Sequence, residues 1–191
     1  MRNQLKNKNF IIKNTKIKNL YVLISKKNSD KRGFLQRIFC NRDLKKILKH
    51  RKIVQVNITL TKKSGYIRGL HFQKSYSKEM KFVTCINGKV CDFALDIRKN
   101  SKTFLKYHAE ILSKNNKKIM LIPEGFAHGF QTLSKNCELL YFHTQFYSKK
   151  NEDGVRIDDP RLNISLPKKI SGMSKRDSSF VLKKNFKGLN V

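Results

Sequence analysis

Over residues 79–99, EMKFVTCINGKVCDFALDIRK, apolar and polar side chains alternate in two runs separated by Asn87-Gly88. A period of two marks a strand with one face toward a core. Asn-Gly readily takes the positive φ angles of a tight type I′ turn, so the two runs are predicted to form a β-hairpin. With Asn87 and Gly88 as its loop, Val83 stands opposite Asp92. Lys81 then lies diagonal to that acid, on a face that also carries Val90 and Ala94. An acid and an amine on a mostly apolar face are expected to pair, because an unpaired buried charge is costly.

The same pattern continues in KYHAEILS, KIMLIPEGF, AHGFQTLS and CELLYFHTQFY. Short strands at close, regular spacing predict an all-β sandwich or barrel of jelly-roll type. One stretch breaks the period. QRIFCNRDLKKILKHRK, residues 36–52, places Ile38, Phe39, Leu44, Ile47 and Leu48 at helical spacing. From about Pro160 the chain is turn-rich and is expected to wrap the barrel. No linker or internal repeat divides the 191 residues, which fit one domain.

Charge adds a question rather than an answer. Lys and Arg number 43 against 13 Asp and Glu, a formal charge of +30. Clustered basic residues would point to nucleic acid. Here the lysines are spread along the chain, often beside asparagine, as drift toward AT-rich codons would leave them. A general pull on anionic ligands follows, and no nucleic-acid partner is expected. No apolar run approaches the length of a membrane span, and the basic N-terminus lacks the apolar stretch and cleavage site of a signal peptide. A cytoplasmic protein is expected. Cys40, Cys85, Cys91 and Cys137 form no CxxC pair, so free thiols packed as small apolar groups are expected.

Candidate chemistry gathers around two histidines. Pro123-x-Gly125-x-x-His128, in IPEGFAHGF, resembles the second motif of the cupins. Metal-binding cupins add an HxH pair and a glutamate upstream. The corresponding stretch here, GLHFQKSYSKEMKF, has one histidine, His71, with Gln73 in the second place and Lys81 close to Glu79. An ammonium group repels a divalent cation, so no metal and no other cofactor is expected. His71 suits proton abstraction near neutral pH. It needs a carboxylate, for which Asp177 in SKRDSS is a candidate. Tyr141 can return a proton, and Lys81 or Arg68 can stabilise an enolate oxygen. Alternation puts Tyr141, His143, Gln145 and Tyr147 on one face. It also puts Arg68 and His71 on opposite faces, so Gly69 must supply a bulge for both to enter one site.

Several ordered motifs extend this set. RGLHFQ, NGKVCDFALDIR, IPEGFAHGF, LLYFHTQFYS and GVRIDDPRLNISLP follow one another, preceded by NSDKRGFLQ and VQVNITLTKKSGYIRGLHFQ. Together they resemble the dTDP-4-dehydrorhamnose 3,5-epimerase family over residues 17–182, leaving 1–16 as an N-terminal extension and 183–191 as a tail. The resemblance implies a metal-free cupin jelly roll (a double-stranded β-helix) with a few short helices, usually a homodimer. It implies epimerisation at C3 and C5 of a dTDP-4-keto-6-deoxyhexose. By position, His71 is the base, Asp177 its partner, Tyr141 the acid on the opposite face, and Lys81 the enolate stabiliser supported by Asp92. Arg68 and His128 line the sugar and phosphate site. Arg32 reaches the diphosphate from the other subunit, and Tyr147 lies near the nucleotide. Leu35, Arg37, Phe142, His143 and Phe146 depart from the family's frequent residues. A single-carbon epimerase and a non-catalytic basic jelly roll are the alternatives.

Overall fold

The structure is a computed structural model that describes residues 5–6 and 9–191; the expected extension, 1–16, lies partly outside them. In chain order the elements are β1 (Leu5–Lys6), β2 (Phe10–Asn14), β3 (Tyr21–Ser25), β4 (Lys27–Asp30), β5 (Gly33–Gln36) and α1 (Asn41–Leu48). Then come β6 (Gln55–Thr61), β7 (Ile67–Gln73), β8 (Lys81–Asn87), β9 (Lys89–Asp96) and β10 (Tyr107–Ser113). The last are β11 (Lys118–Ile122), β12 (Phe126–Thr132), β13 (Cys137–His143), β14 (Glu152–Gly154) and α2 (Lys175–Ser179).

Among the described residues, seven strands form one sheet in the order β1-β2-β3-β11-β8-β13-β6, and five form a second in the order β10-β9-β12-β7-β14. The inner faces pack on each other through Val83, Cys85, Met120, Leu139, Val90, Ala94, Phe126 and Phe130. The outer faces are covered as well. Leu44 and Leu48 of α1 pack on Phe82, Ile119 and Leu121 behind the large sheet, together with Phe10 and Ile12 of β2. Residues of the turn-rich C-terminal stretch, including Leu162 and Leu182, pack on Ile67, Leu70, Phe93 and Leu95 behind the small sheet. Burial on both faces is why β8, β9 and β12 are nearly continuous in buried residues. The result is the expected all-β jelly-roll sandwich.

The predicted hairpin at Asn87-Gly88 does not form. β8 pairs with β11 and β13, whereas β9 pairs with β10 and β12. The Asn-Gly turn carries the chain from one sheet to the other, with Gly88 at φ +78°. Lys81 and Val83 do share the interior with Val90, Asp92 and Ala94, because alternation fixes the face of a strand whatever its partner. The facing residues belong to opposed sheets.

The helix is shorter than its apolar pattern. Residues 37–40 precede α1 without regular structure, Cys40 being extended, and Phe39 lies against Phe82 and Phe142 at 5.6 and 5.8 Å between ring centroids. Lys49, at φ +56°, ends the helix, its N–H donating to the Lys45 carbonyl.

Candidate active site

The two sheets enclose a cavity of about 290 Å³. β7 sends Arg68 and His71 into it, β8 sends Lys81, β12 His128, and β13 Tyr141 and His143. Tyr147, Glu152 and Arg176 stand at the same cavity.

A bulge brings Arg68 and His71 to one side. His71 pairs with His128 and Arg68 with Phe130, so three steps on β7 match two on β12. The extra residue falls at the turn of chain around Gly69, whose φ is +109°. A Cβ there would stand 2.6 Å from the His128 carbonyl oxygen and 2.7 Å from the Gly129 Cα. Only glycine fits that close approach.

Asp177 locks this geometry. The Asp177 N–H donates to Ser174 Oγ at 3.0 Å at the start of α2. One carboxylate oxygen lies 2.9 Å from His71 Nε2, and the other accepts the Gly69 N–H at 3.0 Å. Burial alone would raise the Asp177 pKa, but the hydrogen bond and charge of His71 and the Gly69 N–H outweigh it and hold the carboxyl well below its usual range. His71 is therefore backed by an ionised carboxylate. The Phe180 ring lies edge-on to His71 at 5.8 Å, and Arg176 Nη2 lies 3.2 Å from His71 Nε2.

A second pair sits beside the first on the neighbouring strand. His128 Nε2 lies 2.8 Å from Asp92 Oδ1, with Asp92 fully buried. Burial raises the Asp92 carboxyl above its usual range, and the charges of His128 and Lys81 offset part of that. The expected Lys81–Asp92 ion pair is thus corrected. Asp92 bonds His128, and Lys81 Nζ is 2.9 Å from Glu79 Oε1, because Glu79 enters β8 on the lysine's own side. Lys81 still acts on Asp92 across the cavity.

Tyr141 projects from the facing sheet, nearly buried, and burial raises its pKa above the usual range for a phenol. Its ring is edge-on to His128 at 6.1 Å. The shared face predicted for Tyr141, His143, Gln145 and Tyr147 holds on β13 for Tyr141 and His143, and Tyr147 reaches the same cavity from the loop beyond. β13 ends at His143, and Gln145 turns away to donate to the Tyr76 carbonyl. Tyr147 stands at the cavity rim, its hydroxyl donating to Glu152.

Arg32 is not brought into this cavity by its own chain. It pairs with Asp30 at 2.6 Å on the exposed β4–β5 hairpin. Among the described residues, no three His, Cys, Asp or Glu side chains group as metal ligands. Gln73 accepts the Ser148 N–H at 2.8 Å and so pins the loop that carries Tyr147. Sequence reasoning missed Arg176, Glu152 and Asn57 at the site. It gave Glu79 and His143 no role there. Arg176 adjoins Asp177 in SKRDSS, and that adjacency was the available signal.

Comparison with known proteins follows the same line. The sequence model of the dTDP-4-dehydrorhamnose 3,5-epimerase family matches residues 14–184. A dTDP-4-dehydrorhamnose 3,5-epimerase of Shigella flexneri is 38% identical over 164 residues, covering 85% of this chain and 90% of that protein. Its counterpart from Salmonella typhimurium is 37% identical over 172 residues, covering 88% and 93%. The crystal structure of dTDP-6-deoxy-D-glucose-3,5-epimerase from Legionella pneumophila, in complex with dTDP-4-keto-L-rhamnose, superposes with a TM-score of 0.86 at 35% identity, covering 91% of this chain and 92% of that one. The chain belongs to the dTDP-4-dehydrorhamnose 3,5-epimerase family.

Proposed function

We propose that the protein epimerises dTDP-4-dehydro-6-deoxy-D-glucose at C3 and C5, giving dTDP-4-dehydro-L-rhamnose. The observation that carries this reading is a histidine backed by a buried carboxylate on one sheet, facing a tyrosine on the other across one cavity. Inversion needs a base and an acid on opposite faces of the sugar ring, and two opposed sheets supply them. His71 takes the proton α to the C4 ketone. The electron pair of the C–H bond moves onto the ketone oxygen as an enolate. Lys81 stabilises that oxygen, with Arg68 nearby, and one well-placed donor contributes about 3 kcal/mol. Tyr141 then returns a proton from the other face and restores the ketone. His71 then releases its proton to solvent and the Tyr141 phenolate takes one from solvent, which resets the pair for the second carbon; no redox step is involved.

The cavity suits a hexose ring, with the nucleotide running out past Tyr147 and Arg176. Arg176 and Arg68 offer guanidinium forks of the kind that match phosphate oxygens. Incubated with this substrate in deuterium oxide, the protein is expected to carry deuterium into C3 and C5, read by proton NMR. Label at one carbon would reassign it to single-carbon epimerisation. No label at either would sink the reading.

A homodimer is part of the proposal. The outer face of edge strand β6 exposes Val56, Ile58 and Leu60 at 52, 60 and 46%. Such a stripe on an open sheet edge favours a partner. The β4–β5 hairpin also exposes Phe34 and Leu35 and carries Arg32, which fits an arm reaching the partner's cavity. Ile58→Asp is expected to weaken the dimer by about tenfold or more, measured by sedimentation equilibrium. An Ile58→Asp protein with wild-type association would exclude this face. Among the described residues, no helix is long and apolar enough to cross a membrane. A cytoplasmic setting fits the four free thiols.

A further inference from the structure

Glu79 and His143 stand on the cavity wall outside the acid–base set described above. They come from adjacent parts of the large sheet. His143, the last residue of β13, is the cross-strand partner of Lys81 at the start of β8. Glu79 lies two residues before Lys81. Its carboxylate bridges the two: Oε1 is 2.9 Å from Lys81 Nζ, and Oε2 is 2.6 Å from His143 Nδ1. The three side chains are only 8, 10 and 13% exposed. Burial would raise the Glu79 pKa, but the Lys81 charge and the His143 hydrogen bond lower it to about 2, so the bridge is anionic.

Two further contacts fix His143. Its ring stacks on that of Tyr141, at 6.0 Å and 17°. Its Nε2 lies 3.4 Å from the Asn57 amide nitrogen. Glu79 at Nδ1 and Asn57 at Nε2 thus give both ring nitrogens a polar neighbour. The bridge meets a specific need. A lysine ammonium is a point charge on a flexible stem, and ordering it costs entropy. Asp92, the other carboxylate that acts on Lys81, bonds His128 through Oδ1 and makes no ion pair with Lys81. Glu79 leaves two of the three Lys81 N–H donors for the cavity.

We propose that Glu79 and His143 are positioning residues for the epimerisation: Glu79 aims the Lys81 ammonium at the enolate oxygen, and His143 locks Glu79 while buttressing the Tyr141 ring. This rests on the epimerase reading, so wild-type exchange is measured first; its absence would defeat that reading rather than this one. Given an active wild type, His143→Ala is expected to lower kcat by about tenfold or more, with KM and dTDP affinity within about twofold. His143→Asn, which keeps an N–H near the Nδ1 position, is expected to recover most of the loss. A wild-type kcat in His143→Ala would overturn the proposal. So would equal impairment of the Asn and Ala variants, or a loss confined to KM. If His143→Ala does not fold, Glu79→Gln carries the test. It keeps the volume but removes the charge, and the same fall in kcat is expected; an unchanged kcat overturns the proposal. A readout free of catalysis is the ordered Lys81 ammonium resonance in 15N NMR, assigned by its loss in Lys81→Met. It is expected to broaden in His143→Ala, and an unchanged signal would overturn the bridge.

Discussion

His71→Ala is expected to lower solvent exchange into the substrate by about 10³-fold or more, with dTDP affinity within about threefold. The size follows from what His71 has that its neighbours lack. It shares the cavity with Lys81 and Tyr141, and its carboxylate partner is held ionised by two hydrogen bonds. Asp177 remains an anion through any working pH, because its pKa lies well below the usual carboxylate range. The acid limb of the rate profile therefore does not belong to this carboxylate. His128 is the one competitor worth naming. It stands directly across the ladder from His71 and has its own carboxylate, Asp92. Asp92, however, is fully buried, and burial raises its pKa. A carboxylate whose pKa is raised backs its histidine less firmly than Asp177, whose pKa is lowered, backs His71. Exchange measured by NMR decides between them. His71→Ala that still exchanges at near wild-type rate would move the base to His128, and His128→Ala would then be the inactive variant.

The strands and their faces were legible because alternation is local. Lys81, Val83, Val90, Asp92 and Ala94 all point inward as their spacing predicts. Their partners were not legible. Asn87-Gly88 satisfies a tight hairpin and a sheet-to-sheet crossing equally well, since both need the positive φ that Gly88 adopts. Reading it as a hairpin set Lys81 against Asp92. Only the sheet order, with β8 between β11 and β13, shows that Lys81 lies opposite His143. Glu79 carries no local signal beyond its place in a metal motif, because its second partner is 64 residues away in sequence. Asp177 reaches His71 across 106 residues, and no local pattern encodes that contact; the family resemblance supplied it. Arg32 has the opposite difficulty. Its motif is plain, yet its own chain leaves it on the exposed β4–β5 hairpin, paired with Asp30.

Gly69→Ala is expected to cost about 3 kcal/mol or more of stability and to lower kcat of the folded fraction by about 100-fold or more. Both effects start from one added carbon. At φ +109° an L side chain is strained, and the new Cβ would meet backbone atoms of His128 and Gly129 at 2.6 and 2.7 Å. Neither is the end of a flexible side chain, so β7 and β12 must part or the bulge must straighten. A chain of this length loses about 2–4 °C in Tm per kcal/mol, so a fall of about 6–12 °C is expected by calorimetry. The catalytic loss is separate. Straightening restores strict alternation, and Arg68 and His71 then face opposite sides of the sheet. The Gly69 N–H also leaves Asp177, which loosens the carboxylate behind His71. Activity is therefore measured well below the variant's own Tm, with the folded fraction fixed by circular dichroism. A folded Gly69→Ala protein with wild-type kcat would show that the bulge is not what delivers Arg68 and His71 to a common cavity.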